Sequence, residues 1–132
     1  IGHASFANAH WWTPEFFKLA GFESRLPYDA HFGKAIIAPR AFFNAHALQD
    51  YWANPFGTFL TFEAAKVYKW MGVEENIKMH WRTGGHEQGV IDWLALLDFS
   101  DQYFYNKKVE SNLDINPYST VKIPVFWDAP DN

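Results

Sequence analysis

The chain has 132 residues, 48% of them apolar, which is enough for one domain with a core or for part of a larger domain. Its net charge of −4 comes without a basic cluster, which argues against a nucleic-acid partner, and no apolar run approaches the roughly 20 residues that span a bilayer. Cysteine is absent, which excludes disulfides and a thiol nucleophile. Aromatic residues make up 20%, a content that core packing explains in large part and that adds weight to a carbohydrate partner.

The first third of the chain is rich in aromatic residues and weak in periodicity. Thr13 and Pro14 predict a helix start, with threonine as the N-cap and proline as the first helical residue, and Gly21 predicts the end of that helix. A second helical turn is expected within residues 31–37, because Pro39 disfavours helix in the residue before it.

Two strand-and-helix units follow. Residues 41–45 predict a short buried strand, and a loop rich in polar side chains runs from 46 to 55. A helix is expected from about 58 to 71, ending at Gly72, with one apolar face formed by Leu60, Ala64, Val67 and Met71.

The second unit begins with a strand over residues 77–81. The last helix is expected from about 89 to 104, with an inward face of Val90, Trp93, Leu94, Leu97 and Phe104. Strands that alternate with helices predict the α/β class with a parallel sheet. After these elements, residues 106–132 form a tail in which 121–127 read as an apolar, extended stretch.

The stretch from Thr83 to Gly89 is a glycine-rich loop that carries His86. Glycines let a backbone approach another group closely, so such a loop can hold an imidazole at the edge of a sheet. An ordinary surface loop with an incidental histidine is the alternative for this stretch alone. Asp50 follows the preceding predicted strand, and sites in parallel sheets lie beyond the carboxyl ends of the strands. We therefore expect Asp50 and His86 to lie close together.

A carboxylate and a histidine in these loops supply two of the three members of a hydrolytic triad, in the chain order of α/β hydrolases. The nucleophile would then precede them, in a turn with glycine on both sides of a serine. The serines of this chain, at 5, 24, 100, 111 and 119, lack such flanks. Asp50 also suits an ordinary turn. Glu63, on the predicted helix, is a rival acid that we expect to face solvent.

Four runs, taken together, resemble the bacterial glucuronoyl esterases of carbohydrate esterase family 15. They are Leu26-Pro27-Tyr28-Asp29-Ala30-His31, Ile36-Ile37-Ala38-Pro39-Arg40, Asp50-Tyr51-Trp52-Ala53-Asn54-Pro55-Phe56-Gly57 and Gly84-Gly85-His86. The resemblance covers roughly residues 10–105. Fungal members carry a cysteine shortly after the catalytic histidine, whereas this chain has Glu87-Gln88. That difference places the chain nearer the bacterial group.

The resemblance implies that residues 1–132 are the C-terminal part of a single α/β-hydrolase domain, whose nucleophile lies in an upstream part of the same polypeptide. It implies a secreted or periplasmic enzyme that cleaves esters between glucuronic acid on xylan and lignin alcohols. By the same resemblance, Asp50 is the triad acid, His86 the general base, and Trp52 a residue of the uronate subsite. Trp52 could instead serve packing alone.

Two other functions remain open from the sequence. One is a non-catalytic carbohydrate-binding module, which the aromatic content favours, and the other is a different α/β-hydrolase such as an acetylxylan esterase. The histidines at 3, 10, 31, 46 and 80 match no zinc signature, with His31 and His46 expected to be structural, so we expect neither a metal nor a cofactor. No membrane partner is expected.

Overall fold

The computed structural model describes residues 7–113 and 115–122. Its helices are α1 (Pro14–Phe17), α2 (Ala30–Ala35), α3 (Pro55–Leu60), α4 (Ala65–Trp70) and α5 (Val90–Tyr105). Its strands are β1 (Phe42–Ala47) and β2 (Ile77–Arg82), and short 3-10 turns cover Ala9–Trp11, Glu23–Arg25, Thr61–Ala64 and Glu74–Asn76. The extended stretch expected over 121–127 lies outside the described residues after its first two positions.

The two strands pair in parallel, with Phe42 opposite Ile77 and Ala47 opposite Arg82. The connection between them contains α3 and α4, as a crossover between parallel neighbours requires. The order of strand, helix, strand and helix confirms the predicted α/β architecture. Because both strands run in the same direction, the loops that follow them leave the sheet at the same edge.

Helices cover both faces of the sheet. Successive strand residues point to opposite faces, so Phe42 packs on one side and Phe43 on the other. The Phe42 side holds a cluster of Ala35, Ala64, Tyr68 and Ile77, and the Phe43 side holds Ala95, Phe99 and Leu113. The rings of Phe43 and Phe99 stack with centroids 5.4 Å apart, which fixes α5 against the sheet.

Several local signals for the ends of the elements match the structure, although α1 ends at Phe17 rather than at the expected Gly21. Helix α1 begins at Pro14 after an extended Thr13, although the threonine side chain makes no capping hydrogen bond. Gly72 follows α4 with φ +70°, a conformation that side chains disfavour. Strand β1 starts one residue later and ends two residues later than expected, so that His46 and Ala47 belong to the strand rather than to the loop.

The single helix expected over 58–71 is wrong. The structure divides this segment into α3, a 3-10 turn over Thr61–Ala64, and α4. The hydroxyl of Thr61 donates to the carbonyl of Thr58 at 2.6 Å, a local bond that competes with regular helical pairing. Ala64 is buried as predicted for the apolar face, whereas Met71 is exposed.

The predicted inward face of the last helix is also wrong. Each member of that face, Val90, Trp93, Leu94, Leu97 and Phe104, is more than half exposed. The residues that face the sheet are Asp92, Ala95 and Phe99. The small Ala95 lets the helix approach the strands closely, and the buried Asp92 pairs with Arg82. The large apolar residues therefore form a second stripe, which no described residue covers.

Candidate active site

Asp50 lies in a tight turn just after β1. Its carboxyl group is nearly buried, with the residue 7% exposed. The oxygen Oδ1 accepts hydrogen bonds from the backbone N–H groups of Trp52 at 2.8 Å and Ala53 at 3.1 Å. These bonds give Asp50 the turn role that its residue type favours. They also fix the orientation of the carboxylate, so that the second oxygen, Oδ2, is left for another partner.

That partner is His86. Its ring nitrogen Nδ1 lies 2.9 Å from Oδ2 of Asp50, within hydrogen-bond distance. Burial by itself would raise the pKa of the Asp50 carboxyl. The hydrogen bonds from His86 and from the backbone of Ala53 and Trp52, together with the charge of His86, lower it by more. The pKa of Asp50 therefore lies below its usual value. The Asp50 side chain is therefore an anion that accepts from Nδ1.

The other ring nitrogen of His86 is accessible. The imidazole is 62% exposed while its acidic partner is buried. A carboxylate that accepts from Nδ1–H holds the neutral ring in the tautomer whose Nε2 is free to take up a proton. The pair thus has the geometry of an orienting acid and a base that faces an open space.

The loop that carries His86 is held by the turn that carries Asp50. The backbone N–H of Gly84 donates to Oε1 of Gln49 at 2.6 Å, and the N–H of Gln49 donates to the Gly84 carbonyl at 3.2 Å. The N–H of Leu48 donates to the carbonyl of Arg82 at 2.8 Å, which continues the sheet pairing by one step. Backbone contacts and the Gln49 side chain therefore set the distance between the acid and the base.

Arg82 and Asp92, which our sequence analysis did not single out, form an ion pair under this loop. Nε of Arg82 lies 2.9 and 2.7 Å from the two carboxylate oxygens of Asp92. The N–H of Gly89 donates to Oδ2 of Asp92 at 2.8 Å, which ties the start of α5 to the pair. The signal that could have found Asp92 is the spacing of a capping acid three residues after a helix start at Gly89.

A cavity of about 350 Å³ lies beside the pair. Its lining includes His46, Asp50, Ala53, His86, Gln88 and Leu96. Nε2 of His46 lies 3.1 Å from the Ala53 carbonyl, and because a carbonyl only accepts, this nitrogen carries the proton. His46 is thus a hydrogen-bonded wall residue that supports the Asp50 turn.

Trp52 stands next to the imidazole rather than in the cavity wall. Its ring centroid is 6.4 Å from that of His86, and the residue is 61% exposed. An indole that is mostly exposed leaves much of its apolar ring surface available. Within the described residues its ring also lies 5.7 Å from that of Tyr51, so the indole contacts a neighbour on either side.

The rival acid Glu63 is elsewhere. It lies in the 3-10 turn before α4, where its carboxylate is 2.6 Å from Nζ of Lys66, and it does not line the cavity. Within residues 7–113 and 115–122, no three histidine or acidic side chains cluster in a way that could bind a metal ion. In the same ranges, no helix is both long and apolar enough to cross a membrane.

The parallel strand order defines the class of this protein. An acid and a histidine in the loops after neighbouring parallel strands, with helices on both faces, place it among the α/β hydrolases. The solved structure of a carbohydrate esterase family 15 glucuronoyl esterase from Caldicellulosiruptor kristjansonii superposes with a TM-score of 0.65 and 31% sequence identity, over 76% of this chain and 28% of that one.

Sequence comparisons assign the family. The family model described as "Glucuronyl esterase, fungi" matches residues 2–72. The "Carbohydrate esterase MZ0003" of an unknown prokaryotic organism is 31% identical over 110 residues, which cover 71% of this chain and 26% of the relative. The 4-O-methyl-glucuronoyl methylesterase of Schizophyllum commune is 34% identical over 99 residues, 74% of this chain and 24% of that protein. The chain therefore belongs to the glucuronoyl esterase family, and it spans about a quarter of the length of these relatives.

Proposed function

We propose that this chain supplies the acid and the base of a serine-type carboxylic ester hydrolase. The contact of 2.9 Å between Oδ2 of Asp50 and Nδ1 of His86, beside an open cavity, carries the proposal. Nε2 of His86 takes the proton from a serine hydroxyl as the serine attacks the ester carbonyl, and then gives it to the leaving alcohol. Asp50 stays ionised and stabilises the imidazolium that forms between these two steps, a role that its lowered pKa supports.

The nucleophile is assigned to a part of the same polypeptide that precedes this chain. Two serines of the described region are engaged elsewhere: Ser100 donates to the Leu96 carbonyl at 2.7 Å, and Ser111 donates to the Asp98 carboxylate. A relative of which the match covers only 26% has room for the missing serine. Residues 1–132 then form the C-terminal part of a single catalytic domain, and the exposed apolar stripe of α5 supports burial against other parts of it.

The proposed substrate is an ester of glucuronic acid on xylan, with a lignin alcohol as the leaving group. The name of the Schizophyllum commune relative, a glucuronoyl methylesterase, supports this substrate class. The exposed indole of Trp52 lies where it can stack on the apolar face of a uronate ring. We infer a secreted or periplasmic location, since plant cell-wall polymers are outside the cell.

The test uses the complete polypeptide and steady-state kinetics on glucuronate esters. We expect His86→Ala to lower kcat by about 10⁴-fold or more, because it removes the base, and Asp50→Asn to lower it by up to about 10⁴-fold, because an amide favours the wrong tautomer. Asp101→Asn is the matched control, since it removes a partly exposed carboxylate of α5 that pairs with Lys107 beyond the end of the helix. Near-wild-type turnover of both site variants on every ester tried would contradict the proposal.

Trp52 requires its own measurement. Trp52→Ala should raise KM for glucuronate esters and change the hydrolysis of small acetyl esters much less, because only the uronate ring reaches the indole. Trp70→Ala, an exposed tryptophan on α4, is the control for loss of an indole as such. Equal effects on the two ester classes would assign Trp52 to packing instead.

A further inference from the structure

We propose that Arg82 is a positioning residue for the histidine loop, defined here as residues 83–87. Its guanidinium holds the backbone of this loop in the position in which Nδ1 of His86 reaches the carboxylate of Asp50. The inference rests on the proposed function, since it matters for catalysis only if His86 is the base.

The guanidinium contacts three carbonyls of the loop. Nη1 donates to the carbonyl of Thr83 at 3.0 Å, and Nη2 donates to those of Gly85 at 3.3 Å and Glu87. The last two carbonyls belong to the residues on either side of His86. One planar side chain therefore bonds the backbone before and after the imidazole, which limits how far the base can move.

Asp92 anchors the guanidinium from the other side. It is 1% exposed and accepts both contacts from Nε of Arg82, while it also accepts from the N–H of Gly89. Arg82 closes strand β2, and Asp92 lies in the first turn of α5. The pair thus links strand β2, which precedes the histidine loop, to helix α5, which follows it. The hydrogen bonds from Arg82 to the loop carbonyls lie between these two elements.

Stability alone is a weak reason for such a pair. A buried ion pair loses hydration on folding, and apolar residues of similar volume in its place often leave stability unchanged or improve it. Geometry is a better reason, because arginine offers five N–H donors in a fixed plane whereas lysine offers one ammonium. Lysine at this position can still neutralise Asp92, but it cannot donate to three carbonyls spread along a loop.

Gly84 shows how closely the guanidinium fits the loop. Its φ is +111°, and a Cβ at this position would stand 2.7 Å from Nη1 of Arg82 and 3.0 Å from Oε1 of Glu87. An alanine here must strain the backbone or push Arg82 away. Gly84→Ala therefore disturbs the fit between the loop and the guanidinium while keeping both Arg82 and Asp92 in the chain.

The experiment compares Arg82→Lys with Arg82→Met in the complete polypeptide, measuring kcat, KM and the midpoint of thermal unfolding. We expect lysine to retain more of the stability than methionine, since it still pairs with Asp92. Both variants should lose about 10- to 100-fold in kcat with KM nearly unchanged, because a base misplaced by about 1 Å costs up to about 10² in rate. Lys107→Met, which breaks the exposed pair with Asp101 of α5, is the control.

A purely structural role for Arg82 predicts the opposite pattern, in which kcat recovers together with stability in Arg82→Lys. That result overturns the inference, as does wild-type kcat in Gly84→Ala, the second variant, which keeps Arg82.

A readout independent of activity separates this inference from the proposed function. Nitrogen-15 NMR of the neutral imidazole reports its tautomer, and the contact with Asp50 favours the form protonated at Nδ1. We expect Arg82→Lys to shift His86 towards the form protonated at Nε2, even if the wild-type polypeptide hydrolyses no ester. An inactive wild type with this shift contradicts the proposed function alone, and an unchanged tautomer contradicts the positioning role alone.

Discussion

Lys34→Met tests the energetics of the core on the Phe42 side of the sheet. Lys34 lies on α2, and its Nζ is buried without a hydrogen-bond partner among the described residues. The ammonium stands 5.3 Å from the ring centroid of Phe42 and 5.4 Å from that of Phe62. Burial lowers the pKa of Lys34 from 10.5 to about 8, because an ammonium loses its hydration there.

The magnitude follows from that difference in pKa. Such a depression corresponds to at most about 3 kcal/mol against the charged form in the folded state, and the partly exposed stem reduces that figure through solvent screening. The two aromatic contacts favour the charged form by roughly 0.5–2 kcal/mol, and Lys34→Met loses them. Methionine fills a similar volume without a charge. We therefore expect Lys34→Met to raise the free energy of unfolding at pH 7 by about 1 kcal/mol.

The pH dependence has a definite sign. Below pH 8 the lysine is protonated in both states, so the full cost of burying its charge is present. Between about 8 and 10.5 the folded protein binds fewer protons than the unfolded chain, so Lys34 makes the wild type more stable as the pH rises. Methionine has no such dependence, and the advantage of Lys34→Met should shrink across this window.

The assay is urea unfolding of the complete polypeptide at pH 7 and at steps from 8 to 10.5, the window set by the pKa values of Lys34. Lys69→Met, which removes an exposed lysine at the end of α4, controls for the general loss of a positive charge. If Lys34→Met is less stable than this control at pH 7, or if its advantage grows as the pH rises, the reasoning about the buried ammonium is wrong.

Four further outcomes are expected. Tyr68→Phe should lower the free energy of unfolding by about 1–3 kcal/mol in urea, because the buried hydroxyl donates to the Arg40 carbonyl at 3.0 Å. Phe99→Ala should cost about 3–5 kcal/mol in the same assay, since it opens a cavity between α5 and the sheet. The folded state lowers the pKa of Asp50, so the contribution of this carboxylate to the free energy of unfolding is complete above pH 3.8, its ordinary pKa. That contribution is lost as the pH falls through the lower pKa of the folded state. The difference in stability between wild type and Asp50→Asn, measured by acid titration, should therefore shrink below pH 3.8. Residues 1–132 expressed alone should aggregate, because the sheet edge and the apolar stripe of α5 are uncovered. A soluble monomer in analytical ultracentrifugation that unfolds cooperatively by circular dichroism would count against this expectation.

The order of the elements and several of their ends follow from local patterns in the sequence. Gly72 ends a helix, and the strand expected over 77–81 is observed as Ile77–Arg82, because turns and strand periodicity act over a few neighbouring residues. The proximity of Asp50 and His86 also followed from the sequence, although 36 positions separate them. Parallel strands send their following loops to the same edge, so the order of the elements was sufficient to predict this contact.

Which surfaces of those elements are buried depends instead on packing between segments that are distant in the chain. The last helix has a stripe of large apolar residues, yet it turns Ala95 and Phe99 towards the sheet. Periodicity shows that a helix has an apolar face, but the element against which the helix packs selects the face that is buried. Here the small Ala95 and the ring of Phe99, which stacks on Phe43, fit the strands better than the large residues of the stripe do. The pairing of Arg82 with Asp92 has the same origin: each charge is costly when buried alone, and only the packing of α5 on β2 brings the two together.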